Sequence, residues 1–314
     1  MRKKIFKFSI KFSVSLAFLT WIIFKVDWRE VASLLSGIKS AYIALYFLFL
    51  ACGILISSYK WKLLAQFKGI RLSLSQFFRL YLTGTFINNF MPSFVGGDAY
   101  RIYQVGKEEK KFSESASAVV MDRLTGLLGA MILAVIFSAA NFSVILGQKI
   151  LLLLNAIILL SIFGGVIFYA TRRMSFWKKT IGIFGLDRIL PWKFSKFFGE
   201  VAHYAGKKRI LRQTMAWSIV FGIVGLSATN YVIFLSLGEK LPMLNYLSVI
   251  FLISFVSSIP ISINNIGVKE WAYVTFFGFF GVPSAVAITA AILGRVLQML
   301  FSFLALPIYL KNKK

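Results

Sequence analysis

Runs of about twenty apolar residues, barely interrupted by charge, leave a chain few choices of fold. AYIALYFLFLACGILISS, from Ala41, and KILLLLNAIILLSIFGGVIFYA, from Lys149, are two of them. As helices rising about 1.5 Å per residue, they are long enough to cross the roughly 30 Å hydrocarbon core of a bilayer. Lipid offers the backbone no hydrogen-bond partner, and a helix satisfies its own N–H and C=O groups. Similar runs recur along the chain, and composition agrees. With 58% hydrophobic and 15% charged residues, the 314-residue chain carries more apolar surface than a water-soluble domain can hide. The expected fold is all-α, a polytopic membrane protein.

The net charge of +25 would point to nucleic acid in a soluble protein. Here it is explained by cytoplasmic loops, which collect Lys and Arg, and by anionic lipid beneath them. No nucleic-acid partner is expected. The chain has one cysteine, Cys52, inside an apolar run, and one histidine, His203, in a basic loop. That supply is too small for a structural zinc site, and a Ser-His or Cys-His pair would need His203 beside a nucleophile. No metal, cofactor or catalytic residue is expected. The N-terminus, MRKKIFKF followed by SIKFSVSLAFLTWIIF, resembles a secretory signal without a small-residue cleavage site, and reads as an uncleaved first span.

Apolar segments fall at 8–26, 41–58, 75–92, 115–139, 150–170, 213–237, 244–262, 266–281 and 284–310. Nine full spans would put the two basic termini on opposite sides of the membrane. Two regions resolve the conflict. QFFRLYLTGTFINNFMPSFVGGDAYRIYQV, from Gln76, and ISFVSSIPISINNIGVKEWAYVTFFGFFG, from Ile253, each pair an apolar run with a Pro-containing break, a charged cluster and a second apolar run. Both are expected to be re-entrant hairpins, because broken backbone at membrane depth survives only against protein or a watery cavity. Six full spans and two cytoplasmic termini follow, as in a bacterial cytoplasmic membrane. Segments then assigned to the inside hold 27 Lys and Arg, and those outside hold 5. The hairpins enter from opposite faces, so residues 1–140 and 141–314 form the halves of an inverted repeat within one membrane domain. The stretch 171–212 mixes aromatic and basic residues as a surface-lying loop does.

Charge at membrane depth is costly and needs a reason. The candidates are Asp98 and Arg101, Asp122 and Arg123, Lys269 and Glu270, and Arg295. Either they pair as structural ion pairs, or they line a polar cavity whose cations receive an anionic head group. In the second case Arg101, Arg123, Lys269 and Arg295 bind substrate. Asp98, Asp122 and Glu270 are then proton carriers or resting partners. Gly96 and Gly97 would let the backbone approach a ligand.

SYKWKLLAQFKG, FINNFMPSFVGGDAYRIYQV, VVMDRLTGLLG and IPISINNIGVKEWAYVTFF follow one another in the order seen in one family. The chain resembles the flippase-like transmembrane domain of lysylphosphatidylglycerol synthases and their stand-alone relatives. The likeness rests on Pro92, Gly96, Gly97, Asp98 and Arg101, on Asp122 and Arg123, and on Pro260, Gly267 and Glu270. Glycines expected after the two prolines are replaced by Ser93 and Ile261. The sequence ends at KNKK with no aminoacyl-transfer domain, so a lysyltransferase is not expected. The resemblance implies a translocase for an anionic lipid or a polyprenyl phosphate. The alternatives are a membrane-embedded enzyme acting on lipid head groups and an accessory subunit of a separate synthase.

Overall fold

The computed structural model describes residues 2–91, 95–171, 203–204, 206–259 and 261–312. Among these, every regular element is helical. The first half comprises α1 (Arg2–Lys25), the short surface helix α2 (Trp28–Ser36), α3 (Ser40–Phe67), α4 (Leu74–Asn88), α5 (Val95–Glu109) and α6 (Phe112–Ala140). After the short α7 (Phe142–Leu146) come α8 (Lys149–Thr171), α9 (Lys208–Ser236), α10 (Met243–Ser258) and α11 (Val268–Gly278). The chain closes with α12 (Ser284–Ser302) and α13 (Leu306–Asn312), joined by a 3₁₀ turn. Five helices are long and apolar enough to cross a membrane: α3, α6, α8 through Ile167, α9, and the α12–α13 segment. The sixth expected span is α1, whose apolar part is Phe12–Lys25. The chain is a multi-pass, all-helical membrane protein.

Four helices are different. With 15, 15, 16 and 11 residues, α4, α5, α10 and α11 reach roughly 16–24 Å each, short of the hydrocarbon core. They pack as two antiparallel pairs. Gln76 donates to Glu108 at the base of α4–α5, and Asn88 accepts from the Gly97 N–H near its tip. In α10–α11, Tyr246 stacks on Phe277 at the base, and the Asn265 side chain donates to the Ser257 carbonyl near the tip. Each pair therefore returns the chain to the end from which it entered.

Local chemistry sets these breaks. Gly69 (φ 76°) ends the α3 segment, and Ser73 with Gln76 forms a capping box that starts α4. Between α10 and α11, Asn264 and Asn265 take left-handed conformations, φ 48° and 54°. Asparagine tolerates that region better than other residues with a Cβ. The motif SINNIG thus bends on two asparagines. Pro92 and Pro260 lie outside the described residues, as does most of the expected surface loop 171–212.

Lipid tails are as apolar as leucine, so helices in a bilayer associate by close packing, which small residues permit. At the centre of the molecule α3 crosses α9. A Cβ on Gly53 would lie 2.7 Å from the Gly225 Cα. Tyr59 packs on Trp217 with ring centroids 5.0 Å apart, and Lys60 reaches Ser218. Rising numbers on α3 meet falling numbers on α9, so the two helices are antiparallel. Beside the crossing, α9 widens into a π-helical stretch, Gly222–Ala228, a feature often found at functional sites. The main apolar core encloses α10, with Phe251, Phe234, Tyr246 and Phe277 buried between α6, α9 and α11.

Candidate functional site

Asp98 sits in the first turn of α5, where helix N–H groups favour an anion. Its Oδ1 accepts from Arg101 Nη2 at 2.7 Å and Arg123 Nη2 at 2.9 Å, while Oδ2 accepts from Arg123 Nε at 2.9 Å. Asp122 pairs with Arg101 at 3.3 Å and with Lys60 at 3.1 Å. Lys60 also donates to the Asp122 carbonyl and to Ser218 on α9. The Arg101 guanidinium lies over the rings of Trp61 and Tyr81, 4.7 and 4.4 Å from their centroids.

A second cluster repeats the plan on α11 and α12. Glu270, in the first turn of α11, accepts the Gly267 N–H at 2.7 Å through Oε2. Its Oε1 accepts from Arg295 Nε and Nη2 at 3.0 and 2.7 Å. The remaining Arg295 donors reach the carbonyls of Asn264 and Asn265, which ties the hairpin tip to α12. In both clusters the acid and its arginine are 25 residues apart, Asp98 to Arg123 and Glu270 to Arg295. Lys269 has no carboxylate within ion-pair distance among the described residues; its ammonium lies 5.5 Å from the Tyr273 ring centroid.

Between the clusters lies a cavity of about 340 Å³, within the usual range for ligand pockets. The α3–α9 crossing contributes Gly53 and Gly225, the first hairpin contributes Asn88 and Asn89, and the second contributes Asn264 and Lys269. Arg123, Arg295 and Lys269 line it, and among the described residues no carboxylate does. Asp98, Asp122 and Glu270 stand behind the arginines and lysine. Among the described residues no group of three or more His, Cys, Asp or Glu side chains could hold a metal ion.

The sequence matches the family described as the lysylphosphatidylglycerol synthase TM region across residues 8–305. The chain belongs to that family. It is also 25% identical to a UPF0104 membrane protein of Methanocaldococcus jannaschii, over 95% of this chain and 92% of the relative. A UPF0104 membrane protein of Pyrococcus horikoshii is 25% identical over 87% and 88% of the two chains. A third, from Methanothermobacter thermautotrophicus, is 20% identical over 87% and 84%. All three relatives are archaeal, so the likeness carries the multi-pass membrane character and not a bacterial setting.

The candidate residues separate into two groups by position. Arg123, Lys269 and Arg295 face the cavity. Arg101 does not: with its side chain 2% exposed, it is enclosed by Asp98, Asp122, Trp61 and Tyr81. The two glycines also stand away from the cavity. A Cβ on Gly97 would lie 2.1 Å from the Gly84 carbonyl oxygen, so Gly97 lets α5 pack against α4. Gly96 packs on Met91 beside a separate apolar pocket. Lys60 falls just past the expected apolar segment 41–58, but it belongs to α3 and is buried against Asp122. The signal was present: no Gly or Pro interrupts Gly53 to Gly69, so helical phase continues through SYKWK. Asn230, which accepts from the Tyr273 hydroxyl on the cavity wall, had no sequence signal.

Proposed function

We propose that this chain is a carrier that moves an anionic lipid or lipid-linked phosphate across its membrane, with the head group held in the central cavity. The observation that carries this reading is the cavity wall, where, among the described residues, the charged side chains are the cations Arg123, Lys269 and Arg295. Arginine in a low-dielectric wall suits phosphate, whose oxygens it meets with a two-pronged fork.

The arrangement of helices supports the same reading. Adding 172 to Asp98, Arg123 and Gly53 gives Glu270, Arg295 and Gly225. The same shift carries α6, 112–140, onto 284–312, the extent of α12 through α13. Because α3 and α9 are antiparallel and each hairpin returns the chain to its starting end, the two units have opposite orientation. That is the plan of an inverted-repeat carrier, whose site lies between the units. On this reading the hairpins re-enter from opposite faces, and the basic base of the first hairpin is cytoplasmic with both termini. The reading assigns no bond-making step to the cavity.

The experiment is reconstitution in proteoliposomes, comparing fluorescent phospholipid with polyprenyl phosphate. Transport above the protein-free rate is expected for at least one anionic lipid. Arg123→Gln should lower it by about tenfold or more, the worth of a lost charge-assisted contact. The fold should survive, because Asp98 keeps Arg101. Wild-type rates in a well-folded Arg123→Gln protein, or no lipid moved by wild type, would end this reading.

A further inference from the structure

Resting on the carrier reading, we infer that the cavity selects a dianionic phosphomonoester head group over a phosphodiester or an aminoacylated lipid. The argument is a charge count around the central cavity. At the first hairpin, Lys60, Arg101 and Arg123 face Asp98 and Asp122, leaving one positive charge in excess. At the second, Lys269 and Arg295 face Glu270, again leaving one in excess. The two excess charges converge on the cavity, because Arg123, Lys269 and Arg295 line it and the three carboxylates do not.

Uncompensated charge at membrane depth is expensive, and a ligand of matching opposite charge removes that cost. A phosphomonoester carries roughly −1.5 to −2 at neutral pH and offers three acceptor oxygens. A phosphodiester carries a single negative charge and leaves one cation unmatched. A lysyl-lipid brings an ammonium group into a wall that already holds three cations. The uncharged wall suits a phosphoryl group as well. The side chains of Asn264 and Gln298 line the cavity and make no hydrogen bond to other side chains or backbone among the described residues. Each amide has two N–H groups to donate. Leu50, Leu226 and Phe301 supply an apolar side on which the first carbons of a lipid tail can lie.

The test uses the purified full chain, reconstituted as above, and lipids that differ in the head group. Phosphatidic acid, phosphatidylglycerol and lysylphosphatidylglycerol with identical acyl chains are compared above the second phosphate ionisation, near about pH 6. Polyprenyl monophosphate is a fourth arm, which separates a diacyl from a polyprenyl source of the same phosphomonoester. Phosphatidic acid or polyprenyl monophosphate should bind and move about tenfold better than phosphatidylglycerol, and lysylphosphatidylglycerol should be the poorest. Lys269→Met removes one cavity charge without touching the Glu270–Arg295 pair, and should shrink the preference for monoester over diester several-fold. Lys240→Met, in an exposed loop, should leave the preference unchanged. If Lys269→Met fails to fold, Lys269→Gln takes its place, and the wild-type comparison stands without either. Equal handling of phosphatidylglycerol and both monoesters, or an undiminished preference in Lys269→Met, overturns the inference while the carrier reading survives. Failure to bind or move any lipid overturns both.

Discussion

Two arginines share the carboxylate of Asp98, yet they stand in different surroundings and should respond differently to substitution. Arg101 has a side chain 2% exposed, while that of Arg123 is 49% exposed and opens on the cavity. Removing Arg101 would leave Asp98 with one partner and Asp122 with Lys60 alone. Breaking a buried pair by deleting one member costs about 3–5 kcal/mol. Arg101→Ala should therefore lower the thermal unfolding midpoint in detergent, and lipid binding should be lost only with the fold. Arg123→Lys should leave that midpoint near wild type and weaken phosphate binding, because an ammonium group cannot reproduce the guanidinium fork. Wild-type stability of Arg101→Ala would show that the buried cluster does not hold the hairpin. The sequence marked seven of the eight charged positions, all but Lys60, since charge within apolar runs stands out. It could not sort clamp from ligand-facing group, because that depends on which face of α5 meets α6. Gly96 and Gly97 illustrate the same limit: a glycine pair permits close approach, and only the neighbouring helix decides whether ligand or backbone uses it.

At the scale of elements, the two hairpins were legible because their punctuation is chemical. Pro, Asn and Gly between short apolar runs cannot continue a helix, and the charges beside them cannot face lipid. Less legible was where α3 ends. It runs to Phe67, past the expected end at 58, because an apolar-to-basic transition was read as a boundary and the helix simply continues. The break in the second hairpin is made by Asn264 and Asn265, which adopt the left-handed turn without glycine. What the hairpins do in the membrane can be measured by cysteine labelling. The base of α4–α5 carries exposed Lys107 and Lys110; exposed Lys39 and Lys240 flank α3 and α10 at the opposite end. In a background without Cys52, cysteines at 39 and 240 should react with an impermeant reagent in intact cells. Cysteines at 107 and 110 should react only after permeabilisation. Labelling of 107 or 110 from outside would place the base of the first hairpin on the wrong face, and the re-entrant scheme would fail.

At the scale of the molecule, the proposed carrier, with hairpins entering from opposite faces and a net-positive cavity, is constrained in how it can respond to membrane potential. The crossing at Gly53 and Gly225 relates the two units, and each brings one acid–arginine pair to the same space. If the units exchange roles, the cavity faces first one side and then the other. With a dianion bound, the two excess positive charges are matched, so the loaded cavity crosses the field as a nearly neutral body. Empty, it returns carrying both positive charges. Moving a charge through the full potential involves about 2.3 kcal/mol per 100 mV, hence roughly 4.6 kcal/mol for two. Voltage should therefore act on the empty return and spare the loaded step. In proteoliposomes with the potential clamped by a potassium gradient and valinomycin, exchange of labelled for unlabelled phosphomonoester lipid should proceed at the same rate at either polarity. Net transport into lipid-free leaflets, which needs the empty return, should change severalfold when the polarity is reversed. Lys269→Met should reduce that asymmetry, because the empty cavity then carries one charge fewer. Exchange that varies with voltage as strongly as net flux would mean that the loaded cavity is charged, and the matching of two cations to one dianion would be wrong.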